Sequence, residues 1–222
     1  MKAGIIVAME KELKLLLPHI QNMTELTVNG FKFYSGRLGT REVTVSQCGI
    51  GKVNAAIGAM TLIDTFHPDI VLNTGVAGGT GASAGIGDLF LASEIAYHDV
   101  WCGPGTVRGE AAGCPARFVC PLPESTSERL GAKTGLLASG DIFVSDVEDL
   151  ARIRSLYPEV GAVDMESAAI AQVCYLKDVP FACLRVISDT PGEGDNLSQY
   201  ENFWSEAPEK TFAAVQSLLE ML

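Results

Sequence analysis

Three nearly continuous apolar runs constrain this chain most: residues 3–8, 69–74 and 180–188. A strand with one wet face alternates apolar and polar. A run that is apolar almost throughout is buried on both faces, which requires a sheet covered by helices on each side. Between and after these runs, apolar residues recur at helical spacing. Met9, Leu13, Leu16, Leu17 and Ile20 form one such stripe, and Ile50, Val53, Ile57 and Met60 a second. Val147, Leu150, Ile153 and Leu156 form a third. Helices are also expected over 125–133 and 166–176. A closing helix is expected near 198–221, with Phe212, Val215, Leu218, Leu219 and Leu222 on one face and Pro208 bending or restarting it.

Residues 24–38 and 42–47 alternate around Asn29-Gly30 and Gly39-Thr40, the pattern of antiparallel strands. Further strands are expected at 88–98, 134–139 and 162–165. Residues 99–123 are rich in Gly, Pro and Cys without a steady period and read as a long loop or lid. Residues 190–196 read as a polar loop. No linker, repeat or low-complexity tract interrupts the alternation. The expected fold is therefore a single α/β domain over 1–222, three layers deep, with helices on both sides of a mixed central sheet.

Composition narrows the partners. Sixteen Lys+Arg against 27 Asp+Glu give a formal charge of −11, which disfavours nucleic acid or an anionic membrane. No apolar stretch is long enough to span a bilayer, and the N-terminal run is too short for a signal peptide. The six cysteines form no CxxC pair and have only three histidines for company, so zinc has little support. They read as reduced, mostly buried thiols of a cytoplasmic protein.

In sheets of this kind ligands sit beyond the carboxyl ends of strands. Five strand exits carry unusual residues: Met9-Glu10-Lys11-Glu12; Asn73-Thr74-Gly75-Val76-Ala77-Gly78-Gly79; Ser139-Gly140-Asp141-Ile142-Phe143; Val163-Asp164-Met165-Glu166-Ser167; and Arg185-Val186-Ile187-Ser188-Asp189. Acids at several exits are material for acid–base chemistry. Singly, Glu12 and Glu166 are better read as ordinary first-turn helix acids. The glycine run lacks the spacing of the common nucleotide-phosphate loops.

The order of these pieces resembles the nucleoside phosphorylase/nucleosidase superfamily, and most nearly its 5′-methylthioadenosine/S-adenosylhomocysteine nucleosidases. The resemblance spans nearly the whole chain. It includes Gly49-Ile50-Gly51-Lys52-Val53-Asn54, Tyr97-His98-Asp99 and Gly113-Cys114-Pro115 as well as the exits above. It implies a nucleoside phosphorylase-like fold, a small nucleoside substrate, no metal or organic cofactor, and a homodimer whose lid residues complete the partner's pocket. It implies that Asp189 protonates the purine at N7, oriented by Ser188. Glu12 would activate the attacking water, with Arg185 near that water and Glu166. Glu166 would hold the ribose hydroxyls, Met165 would pack on the sugar, and Phe143 would stack on the base. The Val144 backbone would read the adenine edge. Met9 and Ile50 would line the sugar and 5′ side, with Val76, Ala77 and Gly78 beside them.

The chemistry suits these roles. Cleavage of an N-glycosidic bond leaves positive charge on the ribose and negative charge on the purine. An acid at N7 answers the second, and carboxylates tolerate the first. Glu12 and Asn73 stand where the phosphorylases of the superfamily supply arginines, which favours water over phosphate as nucleophile. Two departures are visible. Val76 replaces the usual serine, and the segment 100–112, with Trp101 and Arg108, diverges. A futalosine-type nucleoside hydrolase and a purine nucleoside phosphorylase are the alternatives. A non-catalytic nucleoside binder fits the trio Glu12, Glu166 and Asp189 less well.

Overall fold

The computed structural model describes residues 1–81, 83–192, 195–206 and 208–222; the side chains of 124 and 205–212 lie outside the description. Two residues of the expected loop 190–196, and the side chain of Phe212, therefore fall outside it. The chain opens with β1 (Lys2–Val7) and α1 (Glu10–Leu16), followed by a 3-10 turn. An antiparallel meander comes next: β2 (Gln21–Val28), β3 (Phe31–Leu38) and β4 (Arg41–Gln47). Then follow α2 (Lys52–Phe66), β5 (Ile70–Gly79), β6 (Leu89–Tyr97), the two-residue β7 (Phe118–Val119) and α3 (Glu124–Leu130). The second half runs β8 (Lys133–Ser139), α4 (Val147–Leu156), β9 (Val160–Asp164), α5 (Ser167–Lys177) and β10 (Phe181–Asp189). It ends with α6 (Asn196–Glu206) and α7 (Pro208–Met221).

The sheet is mixed, as expected. β1 runs parallel to β4 and β5, and β5 parallel to β10. β10 meets β6 antiparallel, β6 and β8 are parallel, and β8 and β9 are parallel. The tip of β9 then pairs antiparallel with Gly78 and Gly79 of β5. Five strands, β5, β10, β6, β8 and β9, thus close into a ring, and β1, β4, β3 and β2 extend from it as an open wing. β9 thus meets the glycine run antiparallel, while β10 runs beside it in parallel.

Helices cover both faces. On one side α2 and α5 bury Ala55, Ala59, Leu62 and Ile63 with Ala168, Ile170, Ala171 and Cys174. On the other, Leu13 and Leu16 of α1 and Val215, Leu218 and Leu219 of α7 cover the β1 and β5 region. α4 seats Leu150 and Ile153 on β8 and β9. All six cysteines are free thiols, and only Cys102 is exposed. Among the described residues no helix is long and apolar enough to cross a membrane.

Several expectations change. The strand at 69–74 does not stop before the glycine run but continues through it to Gly79. Backbone pairing with β10 and β9 holds that segment extended despite its glycines. The loop 99–123 contains the short strand β7, which pairs with β6. The C-terminal helix is restarted at Pro208, one of the two outcomes expected there, because proline's missing N–H costs nothing in a first turn. The stripe Ile50, Val53, Ile57 and Met60 does not face the core: Val53 is 70% exposed, Ile57 47% and Met60 42%. α2 packs instead by the face that carries Ala55, Gly58, Ala59, Leu62 and Ile63, whose small residues let its first half lie close against the sheet and α5.

Candidate active site

Ala8, Met9, Glu12, Ile50, Val76, Ala77, Gly78, Phe143, Met165, Glu166, Ser188, Asp189 and Tyr200 line one cavity of about 110 Å³, together with Val163 and Asp164. A smaller recess of about 40 Å³ shares Gly78, Phe143, Met165 and Asp189 with it and adds Ile142 and Val144. Residues from five strand exits and α6 therefore converge. Of the residues expected at the site, only Arg185 does not line either space.

Glu12 lies in the first turn of α1 and is buried. Its Oε2 accepts from the main-chain N–H of Ala8 at 2.9 Å and of Met9 at 2.8 Å; its Oε1 accepts from the N–H of Val76 at 3.1 Å. The bond to Met9 is half of a capping box, so the helix-acid reading and the site reading are both true of this residue. Burial pushes the Glu12 carboxyl up, against the pull of Arg185 and the three N–H donors. Gly75, at φ +139°, makes room: a Cβ there would sit 2.1 Å from Glu12 Oε1.

Arg185 lies behind the cavity and is fully buried. Its Nη1 donates to the carbonyl of Thr74 at 3.2 Å, and its Nη2 to Asn73 Oδ1 at 2.5 Å and to the Asp164 carboxylate. Asn73 in turn donates to the carbonyl of Ile6 at 3.0 Å. The guanidinium is 3.9 Å from Glu166 Oε2, so its nearness to Glu166 is as expected. It acts there as a buried counter-charge under two carboxylates.

Glu166 caps the start of α5 with its backbone and turns its side chain into the cavity. Its Oε1 accepts from the N–H of Gly51 at 2.9 Å. Burial, reinforced by the charge of Asp164 and opposed by Arg185, pushes its carboxyl up to about 7.

Asp189 ends β10. Its Oδ1 accepts from Ser188 Oγ at 2.6 Å, and its Oδ2 from Asn196 Nδ2 at 3.2 Å. Burial raises its carboxyl above the usual range, while those two donors pull it down. The same Asn196 amide donates to the carbonyl of Val144 at 3.2 Å. That carbonyl is therefore already engaged inside the protein.

Three contributors escape the sequence reading. Asn196 links Asp189 to the segment after β8. Tyr200 donates from its hydroxyl to Met9 Sδ at 3.1 Å and meets the Phe143 ring edge-on at 6.1 Å. Asp164 anchors Arg185 and accepts from Ser167 Oγ at 2.9 Å. Asp164 was visible within its motif, but nothing in the local pattern marks Asn196 or Tyr200, which sit on a polar loop and an ordinary helix. Lys11 is exposed and lies over the Trp204 ring at 5.6 Å. Arg108 stacks on exposed Trp101 at 4.3 Å, and neither lines the cavity.

Comparison with known proteins gives the same answer along the whole chain. Residues 2–220 match the phosphorylase superfamily. The S-adenosylhomocysteine nucleosidase of Streptococcus pyogenes, solved with 5-methylthiotubericidin, is 34% identical; the match covers 100% of this chain and 97% of that one, with a TM-score of 0.94. The 5′-methylthioadenosine/S-adenosylhomocysteine nucleosidase of Neisseria meningitidis, solved with methylthio-immucillin-A, is 34% identical over 100% and 99% of the two chains, with a TM-score of 0.93. That of Colwellia psychrerythraea, solved with adenine, is 35% identical over 100% and 96%, with a TM-score of 0.92. The chain belongs to the phosphorylase superfamily and, within it, to the methylthioadenosine/adenosylhomocysteine nucleosidases, a family of N-ribosyl hydrolases.

Proposed function

We propose that this protein hydrolyses the N-glycosidic bond of 5′-methylthioadenosine, S-adenosylhomocysteine or both, releasing adenine. One observation carries the reading: Glu12, a buried carboxylate pinned by three main-chain N–H groups, shares one cavity with Asp189, a carboxyl whose proton burial favours. In the proposed reaction water attacks C1′ of the ribose and gives a proton to Glu12. The C1′–N9 bond breaks, its electron pair goes to the purine, and Asp189 delivers a proton to N7. The products are adenine and the free 5-substituted ribose.

The other roles follow from position. Glu166 accepts from the ribose 2′- and 3′-hydroxyls, and Met165 packs on the sugar. Phe143, beside the smaller recess, stacks on the base. The Val144 main chain reads the adenine edge, its carbonyl steadied by Asn196. Met9, Ile50 and Tyr200 form the side for the 5′ substituent. Ser188 orients Asp189, and Arg185 holds the negative charge of Glu12 and Glu166 in place from below.

Water is favoured over phosphate by the lining. Among the described residues around the cavity none is lysine or arginine, and a phosphate beside Glu12 would meet a like charge. We propose a homodimer as the working form, supported by the apolar face of α2 that the single chain leaves exposed. Six free thiols support a reducing, cytoplasmic setting.

The test is product analysis in phosphate-free buffer. Adenine and 5-methylthioribose are expected from methylthioadenosine, and adenine with S-ribosylhomocysteine from adenosylhomocysteine. A requirement for phosphate, or ribose 1-phosphate as product, would overturn the reading. So would activity confined to inosine or futalosine.

A further inference from the structure

The N-terminus of α2 receives two carboxylates from two other parts of the fold. Glu166 Oε1 takes the N–H of Gly51 at 2.9 Å, and Asp141 Oδ1 takes the N–H of Lys52 at 2.7 Å. Gly51 stands at the N-cap with no side chain of its own to cap the helix, and its φ of +94° suits glycine. Asp141, from the exit of β8, supplies the missing cap in trans. The helix dipole favours both carboxylates there.

Asp141 is itself held. Its main-chain N–H donates to Asp99 Oδ2 at 2.9 Å, and that same oxygen receives the ammonium of Lys52 at 2.7 Å. Lys52 Nζ also lies 3.9 Å from Asp141 Oδ2. The Lys52 and Asp99 side chains are only 23% and 17% exposed, so solvent screens this pair less than an ordinary surface bridge. Burial pushes the Asp99 carboxyl up, but the hydrogen bonds from Lys52 and Asp141 outweigh it and hold it low. Three loops, after β4, β6 and β8, are thereby fastened together two residues from the ribose side of the cavity.

We propose that Lys52, Asp99 and Asp141 form a positioning clamp that holds the Gly51 N–H against Glu166 and so fixes the carboxylate that binds the ribose hydroxyls. The inference rests on the reading of Glu166 given above. None of the three residues lines the cavity, and each acts through the Gly51 amide. The same fastening sets the loop that carries Phe143 two residues beyond Asp141. Sugar and base subsites are thus held at a common anchor.

The test is Lys52→Met, which keeps the stem and removes the charge, with Asp141→Asn as the second variant in case the first does not fold. The first readout needs no substrate: titration of the Glu166 carboxyl by carbon-13 NMR. Glu166 is faced by Asp164 from β9, Arg185 from β10, Glu12 from α1, Cys48 from the end of β4 and the Gly51 N–H from α2. Only the last changes in the variants. Loss of the clamp should weaken the bond that favours the carboxylate, so Glu166 should titrate at higher pH than in wild type. The second readout is kcat/KM on methylthioadenosine and its 2′-deoxy analogue. The ribonucleoside should lose on the order of 10-fold, as expected for a displaced positioning group, and the deoxy analogue less. Unchanged Glu166 titration in a folded variant overturns the clamp, whatever happens to the rate. A shifted titration in a protein that does not hydrolyse methylthioadenosine leaves the clamp standing and overturns the proposed reaction instead.

Discussion

The main-chain N–H of Val76 donates to Oε1 of Glu12 at 3.1 Å. The residue that departs most visibly from the family pattern therefore serves the site through its backbone. The amide is present whatever the side chain is, and the strand that carries it is fixed by pairing with β10. Val76→Ser should accordingly leave Glu12 in place. We expect kcat/KM on methylthioadenosine to stay within about 10-fold of wild type, since one added side-chain hydrogen bond is worth about 0.5–1.5 kcal/mol. A collapse of activity would mean that the isopropyl group, not the amide, is what the site needs.

Gly75→Ala should be far more damaging. The new methyl would lie 2.1 Å from Glu12 Oε1 and 2.9 Å from Arg185 Nη1, and the φ of +139° disfavours any side chain. Neither neighbour can retreat freely, because both are buried and held by several hydrogen bonds. Overpacking of this kind costs about 1–3 kcal/mol, read as a lowered Tm, with most activity lost as Glu12 is displaced. Wild-type kinetics in this variant would remove Glu12 from the water-activating role.

Asp189→Asn separates chemistry from folding. Ser188 Oγ can still donate to the amide oxygen, and the Asn196 amide keeps its bond to the Val144 carbonyl. Stability should change by no more than about 1 kcal/mol. The amide cannot deliver a proton to N7, so kcat should fall by at least about 10²–10⁴-fold. Purine release near the wild-type rate would exclude Asp189 as the acid.

Glu166 predicts a pH dependence with a definite sign. Buried beside Asp164, its carboxyl titrates near 7, against 4.5 for an ordinary glutamate. Between those values the folded protein binds more protons than the unfolded chain. Stability from this group is therefore whole below about pH 4.5 and lost as the pH rises through about 7, by at most roughly 3 kcal/mol. Activity should move the opposite way over that window, because in the proposed reaction it is the ionised carboxylate that accepts from the ribose hydroxyls. Melting curves across the window should fall for wild type and flatten for Glu166→Gln. Parallel slopes in the two proteins would contradict this.

The sequence made the layers and most of the site legible for a physical reason. Strands buried on both faces show as runs such as residues 3–8, and acids gather at their exits, where Glu12, Glu166 and Asp189 line the cavity. What it hid depends on long-range pairing. The closure of β9 onto Gly78 and Gly79 leaves no local trace. Asn196 matters only because Asp189 and the Val144 carbonyl lie on either side of its amide. The same limit explains α2. Val53, Ile57 and Met60 look like a core stripe, but hydropathy cannot say which surface they meet, and here Ala55, Ala59, Leu62 and Ile63 face inward instead.

That exposed stripe yields the last prediction. Ile50 lines the cavity while more than half exposed, and Val53, Ile57 and Met60 continue the apolar face along α2. Leu176 and Tyr175 of α5 are exposed as well, and Ile57, Met60 and Leu176 share one groove. Large apolar side chains grouped on two adjacent helices are costly to leave in water, and a two-fold contact would bury the patch against itself. Ile57→Glu places a carboxylate in each half of such a contact. An unpaired buried charge costs about 3–5 kcal/mol, enough to weaken association by more than about 100-fold. Wild type should run as a dimer by light scattering and Ile57→Glu as a folded monomer with unchanged secondary structure. Because Ile50 sits at once on that face and at the cavity, the monomer should also lose kcat/KM, with KM rising more than kcat falls. A monomeric wild type would end the dimer proposal, and a fully active monomeric variant would separate the α2 face from the site.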